Sequence, residues 1–201
     1  MQTVILPFDA DEAIERALEV LRAGEPIAFP TDTVYGVGAV ASDAQSVLRL
    51  YEVKRRPRRL AIPVLLANPQ DITSVAEQIP PRALELAQRF WPGGLTLVLP
   101  AAPHLPAELL ADGSTVAVRV PNHNRLRELI TQLGHPLAAT SANLHRVMDP
   151  MTSSEVMAQL GGSLPLILDG GTTPSTMPST VVDCSSEPFR IIRQGVIRID
   201  V

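Results

Sequence analysis

Helical and strand periods alternate along this chain, and that alternation restricts the fold more than any other feature of the sequence. Apolar residues recur at helical spacing in Ile14, Ala17, Leu18 and Leu21, and again in Leu126, Leu129, Ile130 and Leu133, a pattern that lays one face of each helix on a sheet. Asp9 or Asp11 is a candidate cap for the first helix and Gly24 its end, while Asn122 or Asn124 starts the second and Gly134 ends it. Val47, Leu50, Tyr51 and Lys54 mark a third helix, Pro81 to Phe90 a fourth and Ser153 to Leu160 a fifth. Between them lie β-branched or aliphatic runs at 26–29, 62–67, 95–99, 115–120, 136–139, 164–168, 180–183 and 189–192, with another at the N-terminus within 1–9. Several late strands follow one another too closely for helical crossovers. The expected fold is therefore α/β (α+β), a mixed sheet flanked by helices.

With 201 residues, 45% of them apolar, the chain fits one domain spanning 1–201. Charged residues make up 19% and the net charge is -4, which excludes a disordered chain and a globally basic nucleic-acid binder. Contact with RNA would need a local patch. Cys184 is the only cysteine, so an intramolecular disulfide framework and a Cys-rich metal site are excluded, and a reducing cytoplasm is the expected compartment. The N-terminus has no basic flank, and no run reaches the roughly 18 to 20 apolar residues of a membrane span, so a soluble protein with no membrane association is expected. Most of the 19 prolines stand at joints between elements, where they end strands or stiffen loops. The stretch 170–178, rich in Gly, Thr, Ser and Pro, is the strongest loop candidate and is placed to cross a site.

Common phosphate-loop, dinucleotide, zincin and hydrolase motifs are missing from the sequence. The densest polar feature is Lys54-Arg55-Arg56-Pro57-Arg58-Arg59, which suits a polyphosphate or RNA backbone, or else forms a solvated basic turn. Phe29-Pro30-Thr31-Asp32-Thr33-Val34-Tyr35-Gly36 runs from a strand into hydroxyls and a carboxylate, a ligand position or ordinary turn chemistry. Ala139-Thr140-Ser141-Ala142-Asn143 repeats the arrangement, and Ser141 and Asn143 point the same way if the strand period continues through them. Arg119 sits in an otherwise apolar strand, either in a structural ion pair or aimed at a ligand carboxylate. Ser179 to Asp183 and Arg193 to Gly195 bracket a late hairpin. His104, His123, His135 and His145 show no metal-ligand spacing.

Seven segments in order, PTDTVYG at 30–36, KRRP at 54–57, FWPGGLTLVL at 90–99, VAVRVPNH at 116–123, ATSAN at 139–143, STVVD at 179–183 and IIRQG at 191–195, resemble the YrdC/Sua5 family over nearly the whole chain. The resemblance implies a twisted open sheet with a basic cavity in which ATP, L-threonine and bicarbonate yield threonylcarbamoyl-AMP and pyrophosphate, with Mg²⁺ accompanying the ATP. It also implies partner proteins that transfer the threonylcarbamoyl group to an adenosine of ANN-decoding tRNAs, with tRNA itself a candidate partner. By matching position, Lys54, Arg56, Ser141 and Asn143 form the family's K-x-R and S-x-N tetrad. Thr33, Arg119, Ser141 and Ser179 would hold threonine, and Arg56, Thr115, Asn143 and Arg193 would hold ATP. This chain has Leu60, Ala61 and Leu65 where many members carry a lysine, a proline and a histidine, and Arg58 or Arg59 stands near enough to replace the charge. Leu144 to Met148 lacks the family's Ser-Gly, and ending at Val201 the chain matches the short form without the extra Sua5 domain. The competing expectations are an RNA-binding module, which the scarcity of aromatic residues disfavours, and a paralogue with another substrate, such as the carbamoyl-transfer domain of hydrogenase maturation proteins.

Overall fold

Ten strands join one sheet, and the alternation of side chains along each strand decides how that sheet is covered. In chain order they are β1 (Val4–Pro7), β2 (Ile27–Phe29), β3 (Gly36–Val40), β4 (Val64–Leu65), β5 (Leu95–Pro100), β6 (Thr115–Arg119), β7 (Leu137–Ser141), β8 (Leu166–Asp169), β9 (Thr180–Asp183) and β10 (Arg190–Arg193). Their spatial order is β1-β8-β2-β3-β7-β4-β6-β5-β9-β10. The computed structural model describes residues 2–199; Met1, Asp200 and Val201, counted above in the 1–201 domain, lie outside the described residues. Parallel pairs (β1/β8, β8/β2, β4/β6, β5/β9) mix with antiparallel ones, as the close spacing of the strands implied.

Helices α1 (Asp11–Arg22) and α5 (Asn124–Leu133) cover one face of the sheet. Ile14, Ala17, Leu18 and Leu21 pack there with Leu126, Leu129, Ile130 and Leu133 against Ile27, Phe29, Leu65, Leu137, Ala139, Leu166 and Leu168. The intervening strand residues, Ala28, Val64, Ala138 and Ile167, face the other way. On that side α2 (Ala44–Lys54), α3 (Pro81–Phe90), the short α4 (Ala107–Leu110) and α6 (Ser153–Leu160) bury a larger core that also takes in Leu95, Leu97, Leu99, Val116 and Val118. Strands buried on both faces read as continuous apolar runs, which is why most of them are visible in the sequence. The α1/α5 layer contains no residue of β5, β6 or β9. That half of its face is open.

Two expected helix caps are corrected. Ala10 precedes α1 and offers no side-chain cap, Asp11 being the first helical residue. His123, rather than Asn122 or Asn124, caps α5, its Nδ1 accepting from the Leu126 N–H at 3.2 Å. Gly134 ends α5 in the left-handed region at φ 76°, as expected. β3, α4 and the 3-10 turn at Pro69–Ser74 are additions to the elements expected from the sequence. Among the described residues no helix is long and apolar enough to cross a membrane.

β3 went unread because two of its five residues are glycines, which lower strand propensity. The structure gives them a purpose: the Phe29 ring from β2 lies across both. A Cβ on Gly36 would stand 2.8 Å from that ring, and one on Gly38 would stand 2.8 Å from the Ala138 carbonyl oxygen as well as 3.1 Å from the ring. Because backbone cannot move aside as a side chain can, Gly38→Ala is expected to cost about 1–3 kcal/mol of stability, measured by urea unfolding. A loss within error of zero would mean that the Phe29 layer is loosely packed.

Candidate active site

The open half of the α1/α5 face carries a cleft of about 180 Å³. Its floor is made by the side chains of β4, β6, β5 and β9 that point away from the large core: Leu65, Ala117, Thr96 and Val181. Thr33, Arg119, Ser141, Asp149, Ser179 and Arg193 bring polar groups to it. Five of the residues singled out in the sequence, Thr33, Arg119, Ser141, Ser179 and Arg193, thus meet around one cavity although they come from five separate segments.

Arg119 ends β6 and is only 7% exposed. Its Nε donates to the Gly93 carbonyl at 2.9 Å, Nη1 to the Thr33 hydroxyl at 3.0 Å and Nη2 to the Asp32 carboxylate at 2.6 Å. Burial pushes its pKa down and the Asp32 charge opposes that shift. Of the alternatives open for this residue, the ion pair is present, and two of the five guanidinium N–H groups remain for a ligand. The turn that supplies Asp32 and Thr33 is held by Thr31, whose hydroxyl accepts from the Thr33 N–H at 3.0 Å and donates to the Val34 carbonyl at 2.7 Å. Turn chemistry and site geometry are therefore one construction here.

Lys54 does not line the cleft. It is 1% exposed at the end of α2 and points beneath Ser141 and Asn143. Its ammonium donates to the Ser141 carbonyl, to the Asn143 carbonyl at 2.7 Å and to Asn143 Oδ1 at 2.8 Å. Ser141 Oγ also donates to Asn143 Oδ1, at 2.7 Å, and Asn143 Nδ2 donates to the Val147 carbonyl. The side chains of Ser141 and Asn143 meet even though β7 stops at Ser141. Asn143 Oδ1 is filled by the Lys54 ammonium and the Ser141 hydroxyl, and Asn143 does not line the cleft, whereas Ser141 does. Arg56 donates to the carbonyls of Leu60 and Ala61 at 3.1 and 2.9 Å and so holds the loop that follows it, while Arg55, Arg58 and Arg59 are exposed.

The far wall depends on an irregularity in β10. Ile191 pairs with Val182 and Arg193 with Val181, so Ile192 is an extra residue. That bulge puts Arg193 on the cleft side of the sheet beside Val181; an unbroken register would place Ile192 there. Arg193 Nε donates to the Ser179 carbonyl at 3.0 Å and Nη2 to the Ser179 hydroxyl at 3.1 Å, and that hydroxyl also bonds Thr96 at 2.8 Å. Thr115 faces the same way as Ala117 and Arg119 but lines a neighbouring hollow with Glu77 and Ser185.

Two participants were not singled out as site residues in the sequence. Asp149 lines the cleft, and its charge opposes the downward shift that burial imposes on Arg193. Tyr35 ties three lining segments together: its N–H donates to the Pro150 carbonyl at 2.9 Å, its carbonyl accepts from the Ala142 N–H at 2.8 Å, and its hydroxyl donates to the Gly171 carbonyl at 2.8 Å. Of the loop 170–178, Pro178 is the residue that lines the cleft.

Burial, reinforced by Arg56, lowers the Lys54 pKa to about 7, against about 10.4 for a lysine in the unfolded chain. Between those values the unfolded chain holds a proton that the folded one has released, so stability rises with pH across that window through this group. The Lys54→Met variant, which strips donors from three carbonyl-type oxygens, is expected to lose about 1–3 kcal/mol. Urea unfolding at successive pH values should show the gap between native protein and variant widening from neutral to alkaline pH, and a constant gap would contradict the depressed pKa.

The family model described as "Telomere recombination", that of Sua5, YciO and YrdC proteins, matches residues 19–195. The threonylcarbamoyl-AMP synthase of Pyrococcus abyssi is 38% identical over 187 residues, covering 93% of this chain and 55% of its own, so the chain spans about half the length of that relative. A Vibrio cholerae protein with the same name is 33% identical, covering 92% of this chain and 98% of its own. The crystal structure of P. abyssi Sua5 complexed with L-threonine superposes with a TM-score of 0.92 at 37% identity, over 97% of this chain and 58% of the other. This chain belongs to the Sua5/YciO/YrdC family.

Proposed function

We propose that this chain joins L-threonine, bicarbonate and ATP into threonylcarbamoyl-AMP and pyrophosphate, a nucleotidyl transfer that serves tRNA modification in the cytoplasm. The observation that carries the reading is Arg119, a buried guanidinium with two free N–H groups in a cleft whose other polar groups are mostly hydroxyls. It gains support from the 37% identical P. abyssi Sua5, whose structure contains L-threonine.

In this reading the threonine carboxylate takes the free N–H groups of Arg119, and Thr33, Ser141 and Ser179 meet its hydroxyl and amine. A cleft of about 180 Å³ has room for an amino acid but falls below the roughly 300–1,000 Å³ of pockets that enclose larger ligands. ATP therefore extends out of it, with its phosphates toward Arg193 and Arg56 and the nucleoside along the strand face toward Thr115. Lys54 and Asn143 contribute by fixing Ser141. Among the described residues no three His, Cys, Asp or Glu side chains group as a metal site. Mg²⁺ is commonly held by one or two carboxylates and the substrate phosphates, and Asp149 is the carboxylate placed for that role. When bound, the ion would neutralise phosphate charge.

The threonine amine adds to bicarbonate with loss of water. A carbamate oxygen then forms a bond to the α-phosphorus as the α–β bridging P–O bond breaks and pyrophosphate leaves. The protein's part is alignment and neutralisation of charge by Arg193 and Arg56, and it needs no covalent nucleophile. The product is a mixed anhydride, suited to transfer onto tRNA by partner proteins.

Pyrophosphate release from ATP and bicarbonate should depend on L-threonine, be much slower with L-serine and fall on the order of 10²-fold in kcat/KM in Arg193→Ala. No release with any amino acid, together with RNA binding that salt abolishes and ATP does not affect, would turn the assignment to an RNA-binding module.

A further inference from the structure

The charge count at Arg119 says more about the ligand than the hydrogen bonds alone. Arg119 and Asp32 form an ion pair at 2.6 Å with side chains 8% and 14% exposed, so the pair is neutral and withdrawn from water. Among the described residues Arg119 is the only donor to Asp32. A ligand carboxylate that takes the two free N–H groups of Arg119 turns this neutral pair into a triad of net charge −1; Arg193 and Asp149, which also line the cleft, bring one charge of each sign and leave that count unchanged, and an unbalanced charge away from water is strongly penalised. A ligand that brings an ammonium group with its carboxylate leaves the site neutral. Without Asp32 the order reverses: the site is cationic, and a bare carboxylate balances it.

Resting on the amino-acid reading above, we propose that Asp32 is the residue that makes this cleft select a zwitterionic amino acid over a carboxylic acid without an amine. Arg119 provides the contact with the carboxylate; Asp32 sets which carboxylates can use it. Thr33, next in the chain, bonds the same guanidinium at 3.0 Å, so one turn fixes both the orientation and the charge of the arginine. Because selection works through charge balance, Asp32 is a specificity residue and not a catalytic one.

The test is calorimetric titration of the native protein, Asp32→Asn and Asp32→Glu with L-threonine and with 3-hydroxybutyrate, which is threonine lacking its amine. Asparagine can keep the hydrogen bond to Arg119 while removing the charge. Native protein should bind threonine and show no measurable affinity for 3-hydroxybutyrate. Asp32→Asn should bind threonine at least tenfold more weakly and bring 3-hydroxybutyrate to comparable affinity, while Asp32→Glu keeps the native preference. If Asp32→Asn weakens threonine binding without gaining measurable affinity for 3-hydroxybutyrate, or if native protein binds 3-hydroxybutyrate as tightly as threonine, the proposal is overturned; the second comparison stands even if the asparagine variant does not fold. Native protein that binds no threonine removes the amino-acid reading itself and this inference with it.

Discussion

Everything at the candidate site depends on a sheet that is fully covered on one face and half covered on the other. Four helices bury the even-numbered side chains of β6, Val116 and Val118, and the odd-numbered ones of β5, Leu95, Leu97 and Leu99, while α1 and α5 reach β1, β8, β2, β3, β7 and the Leu65 position of β4. The odd-numbered residues of β6 and the facing residues of β5 and β9 must then meet solvent or a ligand. Their chemistry fits that position, because Ala117, Thr96 and Arg119 are small, polar or charged where the opposite face of the same strands holds Leu and Val. The cleft is the uncovered part of a pleated surface, and strand periodicity alone determines which side chains enter it.

Burying cations under such a cleft requires acceptors, and the two buried cations described above satisfy that need differently. Lys54 has three carbonyl-type oxygens and, among the described residues, no carboxylate in an ion pair with it, so it fastens the end of β7 to the end of α2 by donation alone. Arg119 has a carboxylate partner and keeps spare donors. The first arrangement consumes its cation in holding the protein together. The second leaves part of its cation for a ligand. A basic sequence run therefore does not place its charges alike: of Lys54 to Arg59, Lys54 is buried beneath the cleft, Arg56 holds its own loop and Arg55, Arg58 and Arg59 are exposed.

Most strands and every helix that packs an apolar stripe were legible because burial imposes the periods by which they are recognised. β3 was not, since its pattern is interrupted by glycines whose reason is the Phe29 ring, a contact between residues that sequence spacing does not reveal. Single residues in unusual company, Arg119 in an apolar strand and Ser141 just past one, were legible as candidates, and five of the named candidates do share the cleft. Their partners were not: neither Asp32 as the counter-ion of Arg119 nor Asp149 on the wall stands out, because isolated aspartates in turns are common and carry no periodic signal.

The far wall shows how one inserted residue aims a side chain. With Ile192 as the bulge, Arg193 pairs with Val181 and enters the cleft, while Ile191 and Ile192 remain on the exposed edge of the sheet. Gly195 then passes so close to Pro178 and Ser179 that a Cβ there would collide with their backbone, and the Thr180 hydroxyl accepts from the Gly195 N–H at 3.0 Å. The chain is thereby returned under the segment that Arg193 grips from above. An exposed edge strand with two isoleucines invites pairing with another chain, and the flanking Arg190 and Arg193 oppose that by charge. Arg193 thus owes its place in the cleft to the bulge: restoring a regular register there would put Ile192 in the cleft and turn Arg193 to the other face of the edge strand.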